Sequence, residues 1–165
     1  MRLLVLTSNA LRHKFVANTL SRDATDTLVV SECRPHDEGR HGSGLSPLLR
    51  EHFQLRHETE RASFAGHEAF VAPTLPMLYG EVSQPSTCRV IEGFRPDLSV
   101  VFGASIIREP LLSQLPKDRT INLHLGLSPY YRGSGTNFWP FVNGELEYVG
   151  ATLLHLDAGI DTGPI

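Results

Sequence analysis

Leu3-Leu4-Val5-Leu6 is aliphatic without a break and gives way at once to Thr7-Ser8-Asn9. A run so short and so apolar suits a strand covered on both faces, as in the middle of a parallel sheet. The same character returns in Asp97 to Phe102, where Leu98, Val100 and Val101 lead into Gly103-Ala104-Ser105. Further strands are predicted at Thr25 to Val30, Thr120 to His124 and Tyr148 to Leu156, with a short one at Ala69 to Val71. Helical patterns lie between them. Ser8 or Asn9 can cap a helix whose apolar stripe is Leu11, Phe15, Val16 and Leu20, with Arg12, His13 and Lys14 facing away. Ser46-Pro47 is a cap followed by proline at the first helical position, and it opens a helix through Leu49, His52, Phe53 and Arg56. Pro85 to Glu92, stopped by Gly93, reads as a helix, Pro110 to Gln114 as a helical turn, and Thr136 to Val142 as a short helix ended by Asn143-Gly144. Arg34 to Gly44 and Ala72 to Ser83 read as loops.

Strands alternating with helices imply βαβ units. The expected fold is α/β: a Rossmann-like, doubly wound, mostly parallel sheet with helices on both faces. Ligands of such sheets sit beyond the carboxyl ends of the strands. Four segments fall there: Ser8-Asn9, Gly103 to Arg108, His124 to Gly135 and Asp157 to Gly163.

At 165 residues a single domain, 1–165, is expected. A net charge of -3 gives no general attraction to nucleic acid, so no nucleic-acid partner is expected. The apolar run at the N-terminus is too short for a signal peptide, and nothing approaches the ~20 apolar residues that cross a bilayer. Cys33 and Cys88 have neither metal-ligand spacing nor the makings of a disulfide framework, which points to a reducing cytoplasm and no metal. His36, His41, His52, His57 and His67 are scattered through a polar region and read as solvated surface.

The chemistry concentrates at the end of one strand. Alternate side chains on a strand share a face, so Asn122 and His124 emerge side by side at its carboxyl end, under the Gly/Ser/Pro-rich run Leu125 to Gly135. An amide can donate to a developing oxyanion, while an imidazole moves protons near neutral pH. Asp157-Ala158-Gly159-Ile160-Asp161-Thr162-Gly163 can add a carboxylate. Blander readings stand beside these: His124 as a hydrogen-bonded structural residue, Asn122 as a cap, Asp161 as a turn former. Arg12-His13-Lys14 is either a solvated helix face or, with Ser8 and Asn9, a receiver of substrate phosphate. Tyr130, Tyr131 and Arg132 are placed in the loop to touch an acceptor, and Phe138 and Trp139 read as core or cavity wall.

Ile121-Asn122-Leu123-His124, then Leu127-Ser128-Pro129-Tyr130-Tyr131-Arg132-Gly133, then His155-Leu156-Asp157-Ala158-Gly159-Ile160-Asp161-Thr162-Gly163 together resemble the folate-dependent formyltransferase family, and Pro96 to Gly103 is similar to its strand and cofactor loop. That family includes methionyl-tRNA formyltransferase, glycinamide ribonucleotide transformylase and the sugar N-formyltransferases. The resemblance implies the formyltransferase fold, with 10-formyltetrahydrofolate as co-substrate and an amine as acceptor. It puts Asn122, His124 and Asp161 in the catalytic positions. It implies that the folate pterin ring is bound mainly through backbone groups of two loops, one with Ser105, Ile106 and Ile107 and running to Arg108, the other from Asp157 through Gly159 to Ile160. Substrate contacts are expected at Ser8, Asn9, Arg12, Tyr131 and Arg132.

Departures from the family pattern narrow the acceptor. The first loop, Thr7 to Arg12, lacks the glycines of the purine-pathway enzyme's phosphate loop. His124-Leu125-Gly126-Leu127-Ser128-Pro129 stands where many relatives have His-Pro-Ser-Leu-Leu-Pro. Nothing here matches the domain that helps hold tRNA, and the chain ends at Pro164-Ile165 where relatives continue into a further strand and helix. The expected acceptor is therefore a small amine, with a nucleotide-linked amino sugar foremost and a homo-oligomer compatible with the sequence. A formyltetrahydrofolate hydrolase and a non-catalytic folate- or nucleotide-binding module remain open.

Overall fold

The computed structural model describes residues 1–33, 44 and 46–165. Six strands, β1 (Arg2–Ser8), β2 (Asp26–Cys33), β3 (Thr74–Leu78), β4 (Leu98–Phe102), β5 (Thr120–His124) and β6 (Thr152–His155), form one sheet in the order β3-β2-β1-β4-β5-β6. The first five are parallel and β6 runs antiparallel to β5. Helices α1 (Leu11–Ser21), α2 (Pro47–Ser63), α3 (Pro85–Phe94), α4 (Leu111–Gln114) and α5 (Trp139–Asn143) connect them. This is the doubly wound arrangement expected from the alternating pattern. Among the described residues no helix is long and apolar enough to cross a membrane.

The unbroken aliphatic run of β1 has a simple cause. Leu4 and Leu6 point into a core shared with Val30, Val101, Ile91 and Leu111, whereas Leu3 and Val5 point to the other face with Ala17, Val29 and Val100. Both faces are covered, so both sets of alternating side chains are apolar.

Several elements differ from the sequence reading. The strand expected at Ala69 to Val71 lies instead at Thr74–Leu78 and contains Pro76. It is an edge strand paired only with β2, where a missing N–H costs no ladder bond. Helix α3 runs through Gly93 and ends on Arg95 in the left-handed conformation (φ 52°). Strand β6 covers only Thr152–His155, preceded by a 3-10 turn at Leu146–Tyr148, and α5 begins at Trp139 rather than Thr136. Phe138 and Trp139 are exposed, not core.

Ser46 does cap α2, accepting from the Leu49 N–H at 3.3 Å, but neither Ser8 nor Asn9 caps α1; Ala10 occupies that position without a side-chain cap. The face of α1 turned to the sheet is His13, Ala17 and Leu20, an i, i+4, i+7 set, so His13 is only 7% exposed rather than solvated. Its ring meets Phe102 edge-on at 4.7 Å, and a Cβ at Gly103 would come within 2.3 Å of it. Phe15 instead packs sideways on Phe64 and His67. His67 is thus half-buried, while His52 and His57 are exposed as expected. The loop expected from Arg34, with His36 and His41, lies outside the described residues up to Gly44, an exposed bend.

Candidate active site

Strand alternation brings Asn122 and His124 to the carboxyl end of β5 on the same face. Antiparallel pairing of β6 against β5, with Asn122 opposite Leu154 and His124 opposite Thr152, returns the chain so that the segment after His155 passes that end. Asp161 sits there in the left-handed region (φ 52°), a conformation that Asp tolerates better than most residues. Its Oδ1 accepts from Asn122 Nδ2 at 2.7 Å, and its Oδ2 lies 3.3 Å from His124 Nδ1. Oδ2 also accepts from the Gly133 N–H at 2.9 Å. The side chains of His124 and Asp161 are 6% and 12% exposed, so this contact is poorly screened by water.

The other ring nitrogen, His124 Nε2, is 2.8 Å from the Tyr131 carbonyl oxygen. A carbonyl only accepts, so Nε2 carries the hydrogen in this contact. Both ring nitrogens therefore face acceptors, which fixes the ring plane from two sides.

The C-terminal segment is held by its own bonds. Asp157 accepts from the Gly159 N–H at 3.0 Å and from Thr162 Oγ1 at 2.9 and 2.8 Å through its two oxygens. The His155 N–H donates to the Pro164 carbonyl at 2.8 Å. Gly163 lies so close beneath β6 that a Cβ would stand 1.8 Å from the His155 oxygen.

A cleft of about 740 Å³ opens over this end of the sheet. It gathers Asn122, His124 and Asp161, the β4–α4 residues Ser105, Ile106 and Ile107, the turn Asp157, Gly159 and Ile160, and Ser8, Asn9 and Arg12 at the start of α1. Ile106 is 50% exposed and offers apolar wall; Ile107 is committed to the core. Tyr131 and Arg132 do not line it. The Tyr131 hydroxyl is bonded to the Glu145 carboxylate and accepts from Asn143 Nδ2 at 2.8 Å. The Glu145 bond, aided by burial, holds the Tyr131 phenol above the ordinary tyrosine value. Arg12 Nη1 is 3.0 Å from Glu60 Oε1, and the Arg12 N–H donates to the same oxygen at 3.1 Å. Burial pushes the Glu60 carboxyl up, but the Arg12 backbone N–H and guanidinium, with the Arg56 charge, outweigh it and set the group below the usual value. Lys14 Nζ donates to the Glu68 carbonyl at 2.8 Å. Ser8 Oγ is bonded to His13 Nδ1.

Glu32 escaped the sequence reading. It lies just past the strand predicted to end at Val30, at the carboxyl end of β2, and its carboxylate is bonded to Ser105. A charged residue at the carboxyl end of an apolar parallel strand is the signal that marks such a position. Among the described residues no group of three His, Cys, Asp or Glu gathers as a metal centre requires. A second cavity, of about 640 Å³, lies by the amino end of β1, lined by Arg2, Arg89, Glu92, Gly93 and Arg95, and shares no residue with the cleft.

Residues 57–165 match the family model described as formyl transferase. The methionyl-tRNA formyltransferase of Trichlorobacter lovleyi is 31% identical over 143 residues, covering 87% of this chain and 40% of that protein. The methionyl-tRNA formyltransferase of Alkaliphilus oremlandii is 40% identical over 88 residues, 50% of this chain and 28% of its own length. The chain thus spans well under half the length of these curated relatives. In fold it is similar to glycinamide ribonucleotide transformylase 1 from Symbiobacterium toebii (TM-score 0.63, 19% identity, 100% of this chain and 70% of that one). It is similar as well to a formyltetrahydrofolate deformylase from Pseudomonas syringae pv. tomato (TM-score 0.62, 17% identity, 99% and 48%). The matched region contains the whole Asn122–His124–Asp161 cluster and both turns beside it, and on that match the chain belongs to the formyl transferase family.

Proposed function

We propose that this chain transfers the formyl group of 10-formyltetrahydrofolate to the amine of a small acceptor, with a nucleotide-linked amino sugar as the substrate class. The observation that carries this reading is the Asp161 carboxylate, which holds Asn122 at 2.7 Å and His124 at 3.3 Å in one cleft.

When an amine nitrogen bonds to the formyl carbon, the carbonyl π electrons move to oxygen. Asn122 keeps one amide hydrogen free of its Asp161 bond in this geometry, and His124 offers Nε2–H. Both are the donors that a tetrahedral oxyanion requires. His124 gives up its Tyr131 carbonyl contact to reach the oxyanion, so the loop from Leu125 to Gly135 shifts on substrate entry. Asp161 keeps the ring oriented and stabilises its N–H on the far side. Collapse re-forms the carbonyl, breaks the bond from carbon to the folate nitrogen, and needs one proton moved from the incoming amine to that leaving nitrogen. His124 serves it by giving its Nε2 proton to the leaving nitrogen and then taking the amine's proton in its place, or a water held by Asp161 carries the proton across.

The residues fit the co-substrate. The cleft volume lies within the roughly 300–1,000 Å³ of small-molecule sites. Ile106 supplies apolar wall, and the turns at Ser105 to Ile107 and Asp157 to Ile160 supply backbone groups at the edge of a flat heterocycle. Two features favour a small acceptor. Arg12 is the only Arg or Lys among the described residues lining the cleft, and it is already paired with Glu60. A nucleic-acid substrate is ordinarily held by many phosphate contacts from such side chains.

The test is formyl release from 10-formyltetrahydrofolate with nucleotide-linked amino sugars, glycinamide ribonucleotide or methionyl-tRNA as acceptor. Sugar-dependent release supports the proposal. Release without any amine identifies a hydrolase, release only with methionyl-tRNA moves the acceptor to RNA, and binding without turnover leaves a folate-binding module.

A further inference from the structure

At the carboxyl end of β2, Glu32 is wholly enclosed, with 0% exposure, yet it receives four hydrogen bonds. Its Oε1 accepts from the N–H groups of Gly80 at 2.7 Å and Val82 at 3.3 Å, and from Ser105 Oγ at 2.8 Å. Its Oε2 accepts from the Ser105 N–H at 2.5 Å. One carboxylate thereby joins three segments at the carboxyl edge of the sheet: its own strand, the β3–α3 connection and the β4–α4 connection. Among the described residues it has no Lys or Arg partner. A buried carboxylate without a cation is costly unless its lone pairs are met by donors, so each of these bonds matters.

A second tie completes the arrangement. The Arg108 N–H donates to Ser83 Oγ at 2.9 Å. The four residues Ser105 to Arg108 are therefore pinned at one end to Glu32 on β2 and at the other to Ser83 of the β3–α3 connection. Between the pins, Ile107 is buried in the core and Ile106 stands exposed at the cleft.

We propose that Glu32 is a positioning residue that sets the Ser105–Ile107 wall of the cleft and thereby governs affinity for the folate co-substrate; this rests on the reading above that the folate lies against that wall. Glu32 makes no contact with Asn122, His124 or Asp161, so it acts on binding and not on the transfer step. The carboxylate form is specific to the task. In Glu32→Gln an NH2 group replaces one acceptor and points a donor at the Ser105 or Gly80 N–H.

The test uses the full chain, with 5-formyltetrahydrofolate titrated calorimetrically and turnover measured on 10-formyltetrahydrofolate. Glu32→Gln is expected to raise Kd and KM for the folate about tenfold, because buried donors lose their acceptor. It should leave kcat at saturating folate within about twofold and the acceptor KM unchanged, since the trio is untouched. Ser105→Ala, which removes only the hydroxyl bond, should raise the folate Kd roughly threefold. A merely structural role for Glu32 predicts a lower Tm and a smaller active fraction at unchanged KM, and that result overturns the inference. So does a folded Glu32→Gln that binds folate as well as wild type, or one whose loss lies in kcat. If Glu32→Gln does not fold, Ser105→Ala decides: an unchanged Kd sinks the inference. Failure of the wild-type chain to bind the folate overturns the functional reading itself, and this inference with it, whereas wild-type binding matched by the variants overturns the inference alone.

Discussion

Gly126 and His124 share a space that admits no side chain at position 126. A Cβ there would stand 2.7 Å from His124 Nε2, 2.8 Å from the Tyr131 carbonyl oxygen that Nε2 contacts, and 2.6 Å from Thr136 Cβ. The departure from the His-Pro-Ser pattern therefore has a local meaning: this loop folds directly over the imidazole, and only glycine allows it. Gly126→Ala should push Tyr131 or the ring aside and lower turnover at least tenfold, with an overpacking cost of about 1–3 kcal/mol. Steady-state kinetics and a melting curve check both parts. Wild-type turnover in a folded Gly126→Ala would mean that the loop geometry over His124 does not matter.

Asn122→Ala should reduce turnover roughly 100-fold, the usual cost of one oxyanion donor. Asn122 also donates to Asp161 Oδ1, so its removal loosens the carboxylate that orients His124. The double variant Asn122→Ala/Asp161→Asn should therefore lose less than the product of the two single losses. Independent, multiplicative losses would show that the two side chains do not act as a unit.

The parallel sheet was legible because β1 and β4 are largely apolar on both faces. The pair Asn122 and His124 was legible because strand alternation puts them together, whereas the place of Asp161 beside them rested on the family resemblance. Three things were hidden for physical reasons. Edge strand β3 carries Pro76, and an edge tolerates what an interior strand does not. His13 is polar by type, but its ring fills the space left by Gly103, a tertiary contact with no local signature. Tyr131 reads as a loop side chain free to meet an acceptor, whereas Glu145 and Asn143 turn its hydroxyl away and only its carbonyl reaches the site.

Acid should weaken the join between α1 and α2. Glu60 takes both the backbone N–H and the guanidinium of Arg12, and its carboxyl is held below 4.5 because these contacts and Arg56 outweigh burial. A carboxyl with a folded value below its unfolded one adds stability that is fully present above the unfolded value and lost as pH falls through the folded one. Wild-type Tm should therefore drop more steeply than that of Glu60→Gln as pH is lowered past 4.5. Parallel acid-side curves for the two proteins would remove Glu60 from the account. The same substitution releases Arg12 at the cleft, so the KM of a phosphate-bearing acceptor should fall if Arg12 receives that phosphate.

Gly163 sets how Asp161 reaches His124. A Cβ on residue 163 would lie 1.8 Å from the carbonyl oxygen of His155, and that neighbour is strand backbone, not a flexible side chain that can swing away. Gly163→Ala must therefore lift the segment off β6, stretching the bond from the His155 N–H to the Pro164 carbonyl and carrying Asp161 with it. The displacement need only be about 1 Å to spoil a positioned carboxylate. Turnover should fall roughly 100-fold, comparably to Asp161→Asn, while the sheet persists and folate affinity is less affected. Kinetics, folate titration and far-UV circular dichroism on the two variants side by side check this. A Gly163→Ala protein with wild-type turnover would show that the carboxylate need not be held where β6 and its tail place it.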